Sequence, residues 1–160
     1  MKKGITFILI LLLISMGTFV YYIQSDSNIE NTEAYTPWWF WTLAPKVRLM
    51  ARTVSAEARG EPFVGQVAVA AVIMNRVDSP KFPDTIGGVI YQPWAFTAVM
   101  YGHIWNHAPS YKTIRATLAA YRGWDPTYGS LYYYNPAGVT SMWIYSRDVV
   151  RRIGKHIFAY

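Results

Sequence analysis

The chain divides by its pattern of apolar and polar positions. Residues 4–23, GITFILILLLISMGTFVYYI, hold no charged side chain. Twenty residues of helix span about 30 Å, the thickness of a bilayer's hydrocarbon core. Lys2 and Lys3 precede the run. Cationic flanks stay on the cytoplasmic side, so the pattern predicts a membrane anchor with the rest of the chain outside. Tyr21 and Tyr22 then fall at the outer interface. A cleaved leader is the alternative. The length of the run and the want of a small-x-small cleavage site favour the anchor. Either reading exports the remainder of the chain. Gln24 to Thr36 is rich in Ser, Asn, Asp and Glu and reads as a flexible linker. The aromatic cluster Trp38, Trp39, Phe40 and Trp41 comes next, and its two expected places are docked on the domain or near the membrane surface.

From Pro45 onward the period becomes helical. Proline is tolerated at a helix start because its missing N–H would have no partner there. Between Lys46 and Arg59, Val47, Met50, Ala51, Val54 and Ala58 fall on one stripe, with Glu57 at its edge. Gly60 and Pro62 end that helix. A second helix is predicted from Pro62 to about Val77. Its apolar residues point all round, which marks a buried helix. Asp84 is the expected cap of a short helix from Thr85 to about Tyr91, and Ser110 of another that ends at Gly123. Leu131 to Tyr134 and Met142 to Tyr145 read as an antiparallel pair, with Lys155 to Ala159 as a third strand. The expected architecture is α+β, in three parts: an anchor over 1–23, a linker over 24–44 and a domain over 45–160.

Charge sharpens this division. Two lysines face three carboxylates before Pro45, whereas thirteen Lys and Arg face six Asp and Glu after it. A basic exported domain suits a polyanionic partner such as wall polymer or anionic lipid, and nucleic acid is the weakest candidate outside a membrane. The chain has no cysteine, which removes disulfides, thiol nucleophiles, thiolate metal sites and an acylated lipoprotein cysteine together.

Few residues of the domain can move protons. Asp78, Asp84 and Asp125 lie in turn or cap contexts, and Asp148 among surface-like residues. Glu57 stands apart, at the edge of an apolar face and close to a tight turn. Partial burial favours the neutral form of a carboxyl, the form that a general acid for glycosidic cleavage needs. A surface glutamate paired with Arg52 or Arg59 is the plain alternative. Glu61 would share a face with Glu57 only if the helix ran on, and Gly60 and Pro62 oppose that. His103 and His107 have a metal-ligand spacing, but no third ligand or HExxH glutamate accompanies them, so no metal is expected. The many aromatics include Trp94, Tyr101, Trp105 and Tyr132 to Tyr134. They suit sugar rings, whose apolar faces stack on aromatic ones, as well as a core. Strand alternation puts Tyr132 and Tyr134 on one face and Tyr133 on the other.

Several blocks in order carry a resemblance: ARTVSAEARGEPFVGQVAVAAVIMNRV, FPDTIGGVIYQPWAFTAV, GWDPTYGSLYYYNPAGVTSMWIYSR and IGKHIFAY. From about Val47 to Tyr160 the chain resembles the catalytic domain of spore cortex-lytic enzymes, the SleB/CwlJ family of cell wall hydrolases, and is nearer the SleB branch. The resemblance implies a lysozyme-like lytic transglycosylase core, with Glu57 as catalytic acid. It implies cleavage of the glycan between N-acetylmuramic acid and N-acetylglucosamine through 1,6-anhydro ring closure, without a cofactor. It further implies substrate contacts from Thr97 and from Tyr134, which opens a Tyr-Asn-Pro-Ala-Gly segment similar to a Tyr-Asn-x-Gly element of such enzymes. Peptidoglycan, the membrane and an accessory membrane protein are the partners expected, and cortex lysis during germination is the expected role. N-acetylmuramoyl-L-alanine amidase activity and vegetative wall remodelling are the alternatives. The sequence departs from the SleB pattern in having an anchor and short linker where a peptidoglycan-binding domain is usual, so a tether is expected to replace that module.

Overall fold

The computed structural model describes residues 35–106, 108–139 and 142–160. The expected membrane span over 4–23 and residues 24–34 of the expected linker lie outside the described residues. No helix among the described residues is long and apolar enough to cross a membrane.

Helix α1 (Pro45–Ala58) begins with proline in its first turn. Its stripe, Val47, Met50, Ala51, Val54 and Ala58, is buried as the spacing predicts. Helix α2 (Phe63–Asp78) is the axis of the domain. Every residue from Val67 to Ile73 is at most 1% exposed. Three of these seven are alanines, which let α1 and helix α5 (Tyr111–Tyr121) pack close against it. Full burial of each valine or isoleucine side chain contributes roughly 1.5–3 kcal/mol, so α2 is the main apolar prop of the fold. Ser110 caps α5 by accepting from the Thr113 N–H at 3.2 Å, and Gly123, at φ +101°, takes the left-handed turn beyond it. Helices α3 (Ile86–Ile90) and α4 (Thr97–Met100) are short. The cap of α3 is Thr85, whose Oγ1 accepts from the Gly88 N–H, and not the expected Asp84.

The sheet is three-stranded and antiparallel, in the order β1-β3-β2, from β1 (Tyr132–Tyr134), β2 (Val149–Ile153) and β3 (His156–Ala159). The expected third strand is therefore the central one. It pairs Tyr133 with Phe158 and Ile153 with His156. The expected strand at Met142 to Tyr145 is a 3-10 turn instead, Met142–Ser146. Its Met142 and Trp143 are exposed and only Ile144 is buried, so its apolar content never formed a sheet face. The turn folds onto the outer face of β1: Trp143 meets Tyr132 edge-on at 5.3 Å, and Tyr145 meets Tyr134 in the same way. The Arg147 guanidinium lies 4.2 Å from the Trp143 ring. The true partner strand, VVRRI, reads as solvated sequence.

Residues 35–44, read from sequence as linker, pack on the domain. The Tyr111 N–H donates to the Tyr35 carbonyl at 2.7 Å. Phe40 is fully buried against Ala51 and Ile114.

Candidate active site

Glu57 occupies the last full turn of α1, one residue before its end, and is half-buried. Both carboxylate oxygens accept a hydrogen bond from a distant part of the chain. The Ala98 N–H donates to Oε1 at 3.1 Å, and the Tyr133 hydroxyl donates to Oε2 at 3.2 Å. Ala98 lies in the first turn of α4, where helix N–H groups have no internal partner and are free to bind a carboxylate. Burial pushes the Tyr133 phenol well above the ordinary tyrosine range, and the negative charge of Glu57 adds to the effect. Tyr133 therefore keeps its proton and acts as a standing donor. Each Glu57 oxygen retains a second lone pair that can carry a proton.

Arg76 ties together the segments that deliver these two donors. It projects from α2, is buried, and donates from Nε to the Leu131 carbonyl at 2.8 Å, just before β1. Its guanidinium lies 5.1 Å from the Phe82 ring, 5.4 Å from the Phe96 ring and 5.7 Å from the Tyr132 ring. Phe96 is the residue that precedes α4. Burial lowers the Arg76 pKa from the usual arginine value, yet arginine stays cationic at any physiological pH. One buried cation thus braces both the α4 start and β1.

The structure separates the sequence-predicted residues. Thr97 is exposed at the start of α4, beside the amide that binds Glu57. Tyr134 is buried against Tyr145, on the opposite face of β1 from Tyr133. The phenol that reaches Glu57 is thus that of Tyr133. Alternation separates Tyr133 from its neighbours but does not say which set faces the carboxyl. Ala98 gives no side-chain signal, since its contribution is a backbone N–H. Arg76 does give one: it is the sole cation of α2, in the last turn just beyond the apolar run.

Two other carboxylates are already engaged. Asp125 organises a turn, accepting from the Thr127 N–H at 2.7 Å, the Thr127 hydroxyl at 2.6 Å, the Gly129 N–H at 2.6 Å and the Asn75 side chain at 3.0 Å. Burial alone would raise its pKa, but these bonds outweigh burial and lower it. Glu61 is only 4% exposed. Its Oε2 accepts from the Lys155 N–H at 2.9 Å, and its Oε1 lies 3.9 Å from His156 Nδ1. His103 sits in a 3-10 turn, His103–Trp105, against the Tyr101 ring, and His107 lies outside the described residues. Among the described residues no group of three or more His, Asp or Glu is placed to hold a metal ion.

The loop that leads into α4 presents Trp94, 82% exposed, at φ +66°. A left-handed backbone is costly for a bulky residue, and such strain collects at functional sites.

Comparison with known proteins adds to this geometry. A family model described as Cell Wall Hydrolase matches residues 60–159. The spore cortex-lytic enzyme of Oceanobacillus iheyensis is 56% identical over 112 residues, covering 70% of this chain and 40% of that protein. The chain therefore spans well under half the length of that relative. Cell wall hydrolase CwlJ of Bacillus subtilis is 36% identical over 118 residues, covering 70% of this chain and 82% of that protein. Among solved structures, the catalytic domain of Bacillus cereus SleB has 53% identity and a TM-score of 0.67, with 72% of this chain and 89% of that one covered. The catalytic domain of the germination-specific lytic transglycosylase SleB from Bacillus anthracis has 50% identity and a TM-score of 0.69, with 74% and 97% covered.

Proposed function

The chain belongs to the cell wall hydrolase family, and on that premise we propose that it is a lytic transglycosylase in which Glu57 cleaves peptidoglycan between N-acetylmuramic acid and N-acetylglucosamine. The reading rests chiefly on one observation. Glu57 is half-buried and held by two neutral donors, whereas the carboxylates of Glu61 and Asp125 are committed to turns. A two-carboxylate hydrolase needs a second free carboxylate to activate water or attack carbon. A lytic transglycosylase needs one acid that works twice.

In its acid form Glu57 gives its proton to the glycosidic oxygen. The bond from the muramic C1 to that oxygen breaks, and the N-acetylglucosamine end leaves as an alcohol. Positive charge develops at C1 and on the ring oxygen. Glu57, now a carboxylate, takes the proton of the muramic 6-hydroxyl as its oxygen closes on C1. The product is a 1,6-anhydro end, no water is consumed, and Glu57 is protonated again. The Ala98 N–H and the Tyr133 hydroxyl keep the carboxyl oriented through both proton transfers. Thr97 and the exposed Trp94 border the same α4 segment and suit contacts to the sugar, Trp94 through its ring face. Tyr134 supports β1 from its other side.

We place this reaction in spore cortex, by the likeness to spore cortex-lytic enzymes. The uncharged run over 4–23 supports a membrane tether with the domain on the extracytoplasmic side. Digestion of cortex and vegetative sacculi, with mass spectrometry of the fragments, tests the proposal. Anhydromuramyl ends from cortex are expected. Free stem peptides would identify an amidase instead, and equal digestion of both walls would remove the cortex preference. Glu57→Gln keeps the shape but not the acid, and a fall in rate of roughly 10²–10⁴-fold is expected. Unchanged activity in that variant would overturn the mechanism.

A further inference from the structure

The single-acid chemistry uses Glu57 and leaves Glu61 outside the proton transfers. A carboxylate this deeply buried is costly to retain unless it is paired. No lysine or arginine side chain lies within ion-pair distance of it among the described residues. Its surroundings are nonetheless built around it. Gly154 turns β2 into β3 at φ +58°, and a Cβ there would collide with Glu61 Oε2. The next N–H, of Lys155, binds that same oxygen. The residue after that is His156, whose Nδ1 is buried, has no hydrogen-bond partner and faces Glu61 Oε1 across 3.9 Å. The His156 ring meets the Tyr133 ring edge-on at 5.2 Å, and the Tyr133 hydroxyl binds Glu57.

We propose that Glu61 and His156 are positioning residues for the reaction: the Glu61 carboxylate sets the imidazole, and the imidazole holds the Tyr133 phenol against Glu57. The pairing runs through ring packing and one short hairpin, so a small change at Glu61 reaches the catalytic carboxyl without touching substrate. At 3.9 Å the pair makes no hydrogen bond, so the carboxylate acts on the imidazole through its charge, and the gap gives the pair room to close. Closure is driven by protonation of His156, because a cationic imidazole is drawn to Glu61. That movement takes the ring from beneath Tyr133. The charged and titratable groups that act on His156 are Glu61 and Glu57, which favour its cation, and Lys155, which opposes it, while burial keeps it neutral. Acid therefore loosens the phenol on Glu57, and activity falls on the acid side as His156 titrates.

The inference rests on Glu57 being the acid, and its test is separable from that reading. The full chain is assayed on cortex glycan from about pH 5 to 8, where histidine titrates. Glu61→Gln keeps an acceptor for the Lys155 N–H and nearly the same shape. It is expected to lower kcat on the order of tenfold, the scale of a displaced catalytic contact, to leave KM unchanged and to shift the acid limb of the profile. In a Tyr133→Phe background the same change is expected to cost nothing more, because the contact it serves is gone. His156→Phe keeps a ring beneath Tyr133 and loses Nδ1. It is expected to flatten the acid limb, and it carries the test if Glu61→Gln does not fold. A folded Glu61→Gln with wild-type kcat and pH profile would overturn the proposal, as would an equal loss in both backgrounds. If Glu57→Gln stays active, the assignment of the acid has failed, whatever Glu61 does.

Discussion

Helix α2 and the β2–β3 hairpin meet beside Glu57 but are held by opposite physics. Along α2 the chain is dry and aliphatic, with a run of fully buried residues packed against α1, α3 and α5. The hairpin is mixed: Phe158 joins the same core, but the outer strand and the turn are polar. Arg151 and Arg152 on β2 face solvent, and the turn closes around the buried carboxylate of Glu61. The difference assigns each region a role. The helical side fixes where the backbone of Glu57 stands, through contacts without preferred direction. The hairpin and β1 decide where the donor to its carboxyl points, through contacts that depend on angle and charge. A catalytic acid, the role proposed for Glu57, needs both, and here the two needs fall on different parts of the fold.

The largest effect that separates them is expected from Ile73→Ala. Ile73 is fully buried in α2, and such a truncation costs about 2–5 kcal/mol. Urea unfolding should show that loss, while the rate per folded molecule stays near wild type. A comparable fall in that rate would show that the helical core also aims the carboxyl, and the contrast would break. Gly154→Ala should do the reverse. Its Cβ collides with Glu61 Oε2 and its φ is positive, so a stability loss of about 1–3 kcal/mol is expected. Its rate should fall more than that of Ile73→Ala, even though the stability loss is smaller. If the rate is intact, the turn is only a scaffold.

The same contrast decides how much was legible in the sequence. Helices α1, α2 and α5 can be read from spacing and punctuation, because burial enforces a 3.6 period and Pro45, Gly60, Pro62, Ser110 and Gly123 mark the ends. The position of Glu57 at the edge of the α1 stripe is part of that reading. The sheet is less legible. Aromatic residues at 142–145 mimic a strand, yet they pack on arginine and on other rings at the surface. The actual strand β2 is hidden by its two solvated arginines. Residues 35–44 look like linker because Phe40, their buried anchor, sits among exposed tryptophans. Contacts on Glu57 are harder still. The choice of Tyr133 over Tyr134 turns on one residue of strand phase, and the Ala98 N–H is a donor that every sequence has. Arg76, the sole cation of α2, carried a usable clue that the sequence reading passed over.

The smallest expected effect concerns pH and isolates the hairpin. In the folded protein burial holds the His156 pKa below the ordinary histidine value, against the pull of Glu61 and Glu57. In the unfolded chain it returns to about 6.5. Below that value the unfolded chain takes up a proton that the folded one refuses, so unfolding becomes easier as pH falls. The slope ends where the folded imidazole also titrates, because both states are then protonated. Asp125, held below the ordinary carboxylate range by its turn, adds its own loss in a more acidic window. Melting temperatures taken downward from about pH 7.5 should therefore fall first through His156, beginning near its unfolded value of about 6.5. His156→Phe should remove that first decline, and Ile73→Ala should melt lower throughout but keep it. If His156→Phe declines just as the wild type does, the imidazole is not the group that couples the hairpin to acid, and the division between a helical side indifferent to pH and a sheet side tuned by it loses its support.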